Sequence, residues 1–314
     1  MNLDPKSTAF VFPGQGSQAV GMGKELAESF AEAKETFEEA DAILGFPLSG
    51  MMWDGPAESL NDTINTQPAL YVHSVAVLRV LAQTHADLRP AYVAGHSLGE
   101  LSALTAAEAL PFAEGLRLVR TRGELMRRAG EISPGGMAAI MGLDIPALDK
   151  VCAEATRGDE VAQVANDNCP GQVVISGAKA AIERAIEGAK AAGAKRAIPL
   201  AVSIAAHSPL MKPVQAEFER AVQAAPIREA VIPVISNVKA VPIASAEELR
   251  TDIAGQLTNR VRWTESVQWL RGQGVQTFVE IGSGSVLVGL IRRIDASANG
   301  FGLAGPKEFE TLGA

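Results

Sequence analysis

Cysteine is scarce: Cys152 and Cys169 are the only two in 314 residues, too few and too far apart for a disulfide framework or a thiolate zinc site. The four histidines, His73, His85, His96 and His207, form no short-range cluster with them, so no metal or other cofactor is expected. Apolar runs, such as residues 197–206, fall well short of the roughly 20 residues that span a bilayer. Residues 1–6 are short and polar ahead of a strand-like segment, unlike a signal peptide, so the expected setting is the cytoplasm, away from membranes. Positive charge is in deficit, 28 Lys and Arg against 36 Asp and Glu, and a net charge of −8 lacks the basic footprint that nucleic-acid binding requires. Hydrophobic residues are plentiful at 47%, enough over this length for one large core or a core with a smaller satellite.

Against that background one segment carries chemistry. Ser97 lies in Gly95-His96-Ser97-Leu98-Gly99-Glu100, directly after the apolar run 91–94 and directly before a helix-forming stretch at 101–110. Strand, tight glycine-flanked turn and helix together present a serine hydroxyl at a helix N-terminus, the arrangement of a nucleophile elbow. Without those flanks, a Gly-x-Ser-x-Gly match in a chain with 30 glycines would read as an ordinary strand-to-helix connection.

The rest of the chain predicts an α/β fold. A strand at 7–12 enters Pro13-Gly14-Gln15-Gly16-Ser17-Gln18, and helical patterns cover 26–42, 68–84 and 112–129, the last with Arg117, Arg120, Glu124 and Arg127 on one side. Residues 130–136 read as a linker. Then come a strand at 137–142, a helix at 146–156, strands at 161–165 and 172–176 hinged by Asn168-Cys169-Pro170-Gly171, a helix at 178–192 and a strand at 195–200. That β-α-β-β-α-β order is ferredoxin-like. The large unit resumes near Ser203 with a helix at 208–224, a strand at 231–236, a helix at 245–257 and a last strand at 277–281. The expected organisation is a large hydrolase-like domain with a mostly parallel sheet, residues 1–135 and 204–314, interrupted by a ferredoxin-like subdomain, 136–203. Gly282-Ser283-Gly284-Ser285 lacks the Lys-Ser/Thr of a phosphate loop and reads as a structural turn.

A serine hydroxyl needs a base in hydrogen-bond reach, and His207 is the only histidine after Ser97 in the chain. Its position ahead of Ser208-Pro209 suits a base at a cleft rim, though packing would explain it equally well. His96 projects to the other side of the turn and reads as a supporting residue; His73 and His85 flank a predicted helix and read as packing or surface residues. The Leu98 backbone N–H, one residue past the serine, is a candidate oxyanion donor, and the Gly14-Gln15-Gly16 turn can supply a second. Arg122 alone would pass as part of a solvated basic helix face.

These residues, taken with Phe12 to Gln18, Thr66-Gln67-Pro68-Ala69-Leu70, Arg122-Gly123 with Met126, Asn168 to Ser176, His207 with Leu210-Met211, and Val279 to Gly284, run in order over nearly the whole chain. In that order they resemble the malonyl-CoA:acyl carrier protein transacylases of bacterial type II fatty acid synthesis. The resemblance implies that Ser97 is acylated, that His207 is its base, and that the amides of Gln15 and Leu98 form the oxyanion hole. It also implies that Arg122 holds the malonyl carboxylate and that the Gln256 backbone carbonyl orients the histidine in place of an acid. Malonyl-CoA and acyl carrier protein are then the partners of a monomeric enzyme without a cofactor, and the arginines around Arg122, Lys195 and Arg196 are candidates for docking an acidic carrier. Many relatives carry serine before the histidine where this chain has Ala206, which bears on acyl preference. Three other readings remain: an acyltransferase serving a polyketide synthase, a serine thioesterase of the α/β-hydrolase type, and a scaffold without activity.

Overall fold

A computed structural model describes residues 3–202 and 204–312. Its first strand, β1 (Thr8–Phe12), is buried along its whole length, which an apolar segment tolerates only where both faces of a sheet are covered. Alternation splits its side chains between two cores. Phe10 and Phe12 join the larger one, with the helices Thr63–Thr84, Gly99–Ala106 and Phe112–Ile132, while Ala9 and Val11 pack with Trp263, Val267 and Ile291 on the other face. Each buried phenylalanine contributes about 1.5–3 kcal/mol.

Around β1 lie β2 (Tyr92–Gly95), β7 (Val234–Ile235), β8 (Pro242–Ile243), β9 (Thr277–Ile281) and β10 (Asn299–Leu303), in the order β10-β9-β1-β2-β7-β8. All pairs are parallel except β7 with β8. Because Phe12 of β1 pairs with Gly95 of β2, the loop holding Gln15 and the elbow holding Ser97 leave the sheet side by side. That is the carboxyl end of the strands, where parallel sheets place their sites.

A second sheet contains β3 (Gly135–Met141), β4 (Ala162–Cys169), β5 (Gln172–Ala178) and β6 (Arg196–Pro199), in the order β4-β5-β3-β6 and antiparallel throughout. The helices Ile145–Ala155 and Lys179–Ala191 cover one face through Leu148, Val151, Ile182 and Ala185, which meet Ala138, Ile140, Val173 and Ile175. Alternation leaves Met137 and Val174 on the opposite face, toward the elbow. In β4, Ala162 and Val164 face the small core, and strict alternation would send Asn166 and Asn168 after them. A bulge between Val164 and Asn166 reverses the parity, and both asparagines line the cavity instead.

Several expectations change. The interval 130–136 is almost no linker: the helix runs to Ile132 and β3 starts at Gly135, leaving Ser133 and Pro134 between them. The helix expected from Pro68 begins at Thr63, capped by Asp62, whose side chain accepts from Ile64 N. Pro68 cannot donate to the Ile64 carbonyl, and Arg120 Nη1 does so instead at 2.9 Å. The helix predicted over 26–42 is two, broken at Phe30, and the elbow helix stops at Ala106. β9 is not the last strand, since β10 follows it. The Gly282 to Ser285 segment is a turn, tied by Ser283 Oγ to the Ser17 carbonyl. Ser203, the expected point of return, lies outside the described residues. Among the described residues no helix is long and apolar enough to cross a membrane.

Candidate active site

Ser97 has φ of +53°, in the left-handed region that non-glycine residues rarely occupy. The surroundings hold it there. Its N–H donates to Asn237 Oδ1 at 2.8 Å, its carbonyl accepts from Gln256 Nε2 at 2.8 Å, and Asn237 Nδ2 donates back to the Gly95 carbonyl at 2.7 Å. Strand and helix meet too closely for side chains at the flanking glycines. A Cβ on Gly95 would lie 1.9 Å from the Gly99 carbonyl carbon, and one on Gly99 would lie 2.1 Å from the Phe12 oxygen.

The serine hydroxyl lies 2.8 Å from His207 Nε2. His207 Nδ1 faces the carbonyl oxygens of Gln256 at 2.8 Å and Asn259 at 3.2 Å. Carbonyls only accept, so Nδ1 carries the hydrogen and Nε2 is free to take the serine proton. Burial, and then the nearby Arg122 charge, push the His207 pKa down to about 3, so the ring is neutral at neutral pH. Gln163 of β4 donates to the His207 carbonyl at 2.6 Å and the Thr258 carbonyl at 3.2 Å, which fixes the residue in its own left-handed conformation, φ +57°.

Arg122 is 2% exposed. It projects from the helix Phe112–Ile132 with Nη1 on Gln67 Oε1 at 2.7 Å, and Nη2 on Gln256 Oε1 at 2.7 Å and Ser97 Oγ at 3.1 Å. Every one of these acceptors is neutral. Its Nε, on the same edge of the guanidinium as Nη2, is buried without a partner among the described residues, and burial lowers its pKa to about 10. A buried cation hydrogen-bonded only to neutral groups, with a spare N–H beside the serine, is suited to an anionic ligand.

A cavity of about 220 Å³ opens over these groups, lined among others by Gln15, Leu98, Met126, Met137, Asn166 and Val174. The backbone N–H groups of Gln15 and Leu98 have no partner within the described residues, although their neighbours Gly16 and Ser17 are engaged, by the Gln18 side chain and the Gly14 carbonyl. His96 turns away from Ser97, with Nε2 at 2.8 Å from Asn168 Oδ1 and its ring edge-on to Trp263. His73 is buried with Nε2 at 2.9 Å from the Ala304 carbonyl, and His85 caps a helix end.

The geometry agrees with the chain's relatives. A sequence profile for the acyl transferase domain matches residues 9–301. A malonyl CoA-acyl carrier protein transacylase of Escherichia coli K12 is 49% identical over 288 residues, which cover 91% of this chain and 92% of that one. The chain belongs to this acyltransferase family. The corresponding protein of Bacillus subtilis is 45% identical over 302 residues, 96% of this chain and 95% of the other. Among solved structures, an acyl carrier protein S-malonyltransferase from Vibrio cholerae aligns with a TM-score of 0.94 at 45% identity, over 98% of this chain and 99% of that one. A malonyl-transacylase in complex with its type II polyketide synthase acyl-carrier protein aligns at 0.93 and 43%, over 97% and 98%.

In this acyltransferase the structure brings all six residues singled out in the sequence, Gln15, Ser97, Leu98, Arg122, His207 and Gln256, around one cavity floor. It adds three that went unassigned: Gln67 beneath Arg122, Asn237 clamping the elbow, and Gln163 behind His207. Gln67 lies within a motif that carried the family resemblance. Asn237 and Gln163 lie on segments that no local pattern joins to Ser97.

Proposed function

We infer that this acyltransferase moves malonyl from malonyl-CoA to the phosphopantetheine thiol of acyl carrier protein, through a malonyl ester on Ser97, and so supplies fatty acid synthesis. Ser97 Oγ attacks the thioester carbonyl while His207 Nε2 takes its proton, and the amides of Gln15 and Leu98 face the oxygen on which charge develops. Collapse expels the coenzyme A thiolate, which takes the proton from His207. The carrier thiol then gives its proton to His207 and attacks the ester, and Ser97 recovers the proton as it leaves. Every proton is accounted for by these groups, so the proposal includes no cofactor. The single observation that carries it is Arg122, a buried guanidinium with no anionic hydrogen-bond partner among the described residues, whose Nη2 reaches the nucleophile.

The finer assignments belong to the same proposal. Gln256 orients the histidine through its carbonyl, where a thioesterase of the α/β-hydrolase type would place an acid; two carbonyls at His207 Nδ1 favour the transferase. Residues 136–203 form a ferredoxin-like subdomain within a hydrolase-like domain of residues 1–135 and 204–314, a reading supported by the β4-β5-β3-β6 order and the two helices on one face. The enzyme acts as a cytoplasmic monomer, away from membrane and nucleic acid. On the docking side, Arg117, Arg120 and Arg128 are engaged by Glu114, Glu124 and Glu217. The exposed Lys195 and Arg196 make no ion pair among the described residues, which favours them for an acidic carrier.

Mass spectrometry of the intact protein with malonyl-CoA tests the core of this. The native enzyme gains a malonyl adduct and passes it to holo carrier protein, and Ser97→Ala gains none; an adduct on S97A would refute the assignment. The polyketide-associated structural neighbour keeps a second reading open. A panel of carriers decides it, since transfer confined to polyketide carriers would replace fatty acid synthesis as the setting.

A further inference from the structure

Beneath the elbow two acidic side chains are buried together. Glu100, in the first turn of the helix Gly99–Ala106, is 0% exposed, and Asp252, on the helix Ala246–Gly255, is 4% exposed. Glu100 Oε1 accepts from Asn237 N at 3.1 Å, and Oε2 accepts from Gln256 Nε2 at 2.6 Å. Asp252 Oδ1 accepts from Ser236 Oγ, while Oδ2 is buried with no donor among the described residues. Asp252 and Gln256 are four residues apart at one helix end and so share a face, and both meet Glu100. Two carboxyl groups buried side by side, bonded to the adjacent residues Ser236 and Asn237, cannot both be ionised at ordinary cost. One proton between them satisfies the orphaned oxygen and removes the repulsion.

We propose that Glu100 and Asp252 share a single proton under working conditions, and that Glu100, so held, is a positioning residue for the acyl-transfer site. It sets Gln256, which touches His207 through its carbonyl and Arg122 through its side chain, and Asn237, which holds the Ser97 amide. The inference rests on the reading of Ser97, His207 and Arg122 as the machinery they support. Among the described residues the charged group that acts on Glu100 is Arg122, from the helix Phe112–Ile132, while His207 lies beyond Gln256, whose carbonyl it meets through Nδ1. Burial above all, and then Asp252, hold the Glu100 carboxyl well above the usual carboxylate range. An acid whose pKa is raised by folding binds its proton more tightly when folded. Its stabilising contribution is therefore full at acid pH, and is lost as pH climbs from the unfolded value of about 4.3 through the folded one.

Asp252→Asn separates the shared proton from the shape of the site. The amide keeps an oxygen for Ser236 Oγ and places permanent N–H donors toward Glu100. We expect D252N to load malonyl within about twofold of the native enzyme near neutral pH. It should also lack the fall in melting temperature expected of the native enzyme as pH climbs from about 4.3 toward the raised Glu100 value, and the fall in loading rate expected as that value is passed. D252A should lose about tenfold in kcat with KM for malonyl-CoA little changed. The proposal is overturned if D252N is as impaired as D252A, if it keeps those native falls, or if the native enzyme lacks them. Infrared spectroscopy gives a check that needs no turnover. An ordinary carboxyl holds no proton at about pH 7, but burial also raises the Glu280 and Asp167 carboxyls, so the diagnostic band is a protonated-carboxyl band that the native protein shows near neutral pH and D252N lacks; the absence of that difference overturns the pair. Melting and infrared readouts require no acyl transfer, so a persistent adduct on S97A would refute the site while leaving the pair to be judged separately.

Discussion

A guanidinium enclosed by amide oxygens and a hydroxyl reads the charge of whatever reaches the serine. Charge-assisted hydrogen bonds contribute about 1.5–3 kcal/mol each. Arg122→Ala should therefore lower kcat/KM for malonyl-CoA about a hundredfold further than for acetyl-CoA, measured as acyl-enzyme formation; equal losses would mean that Arg122 does not recognise the carboxylate. The same residue adds to burial in setting the working range of the base. Burial first and the Arg122 charge second hold His207 down to about 3, and the neutral ring is the form that accepts a proton. Loading by the native enzyme should show no acid limb near the ordinary histidine value of about 6.5. In Arg122→Met, with a positive neighbour gone, the limb should move upward. A native limb at the ordinary value would show that the ring is not held in this way. Arg122 was also more legible than its basic neighbours suggest. Gly115, Leu118, Val119, Leu125, Met126 and Ala129 form the buried stripe of its helix, and Arg122 falls inside that stripe, whereas Arg117, Arg120 and Arg127 fall outside it.

Elements were readable wherever the signal was local. The elbow needs only a strand, two glycines and a helix within about ten residues, and each is visible in the sequence. Replacing Gly99 by alanine drives a Cβ toward the Phe12 carbonyl, 2.1 Å away and part of β1, so backbone rather than a flexible side chain must yield. Overpacking of this kind costs about 1–3 kcal/mol or more. We expect Gly99→Ala to melt several degrees lower and to lose most malonyl loading, read by thermal denaturation beside adduct formation; a variant with native melting and loading would mean that the contact relaxes freely. Elements whose stability comes from neighbours were poorly legible. β10, Asn-Gly-Phe-Gly-Leu, has little strand propensity of its own and exists because β9 offers a parallel ladder across five residue pairs. The strand expected over 231–236 shrinks to Val234–Ile235, bounded by Pro233 and paired with β2 and β8. The helix start at Thr63 was hidden because Pro68 looked like a first-turn proline, while Arg120, more than fifty residues away in sequence, replaces the missing donor.

At the level of the whole molecule the site is a meeting of segments that only the tertiary fold unites. Ser97 and Leu98 come from the elbow, Gln15 from the loop after β1, Arg122 from a long helix, and His207 from the chain returning from the second sheet. Ser97 and His207, separated by 110 residues, meet at 2.8 Å. Motif order along the chain anticipated that meeting, but it could not reveal what braces it, because Gln163 and Asn237 act through backbone carbonyls and amides, which leave no pattern in side-chain identity. Gln163 is the clearest case. It belongs to β4 of the second sheet, yet its amide ties together the carbonyls of His207 and Thr258 in the chain that follows. Without that amide, two carbonyls lose a donor, and His207 is less firmly held at φ +57°. Loss of such bonds costs about 1–3 kcal/mol, felt by the base rather than by the bound thioester. Gln163→Ala should therefore lower kcat about tenfold with KM for malonyl-CoA nearly unchanged. Gln163→Glu, which keeps the shape but presents acceptor oxygens to two carbonyls, should do no better. A fall in melting temperature with kcat intact in both variants would reduce the link between the two sheets to packing alone, whereas a kcat loss shared by both makes the second sheet part of how the base is aimed.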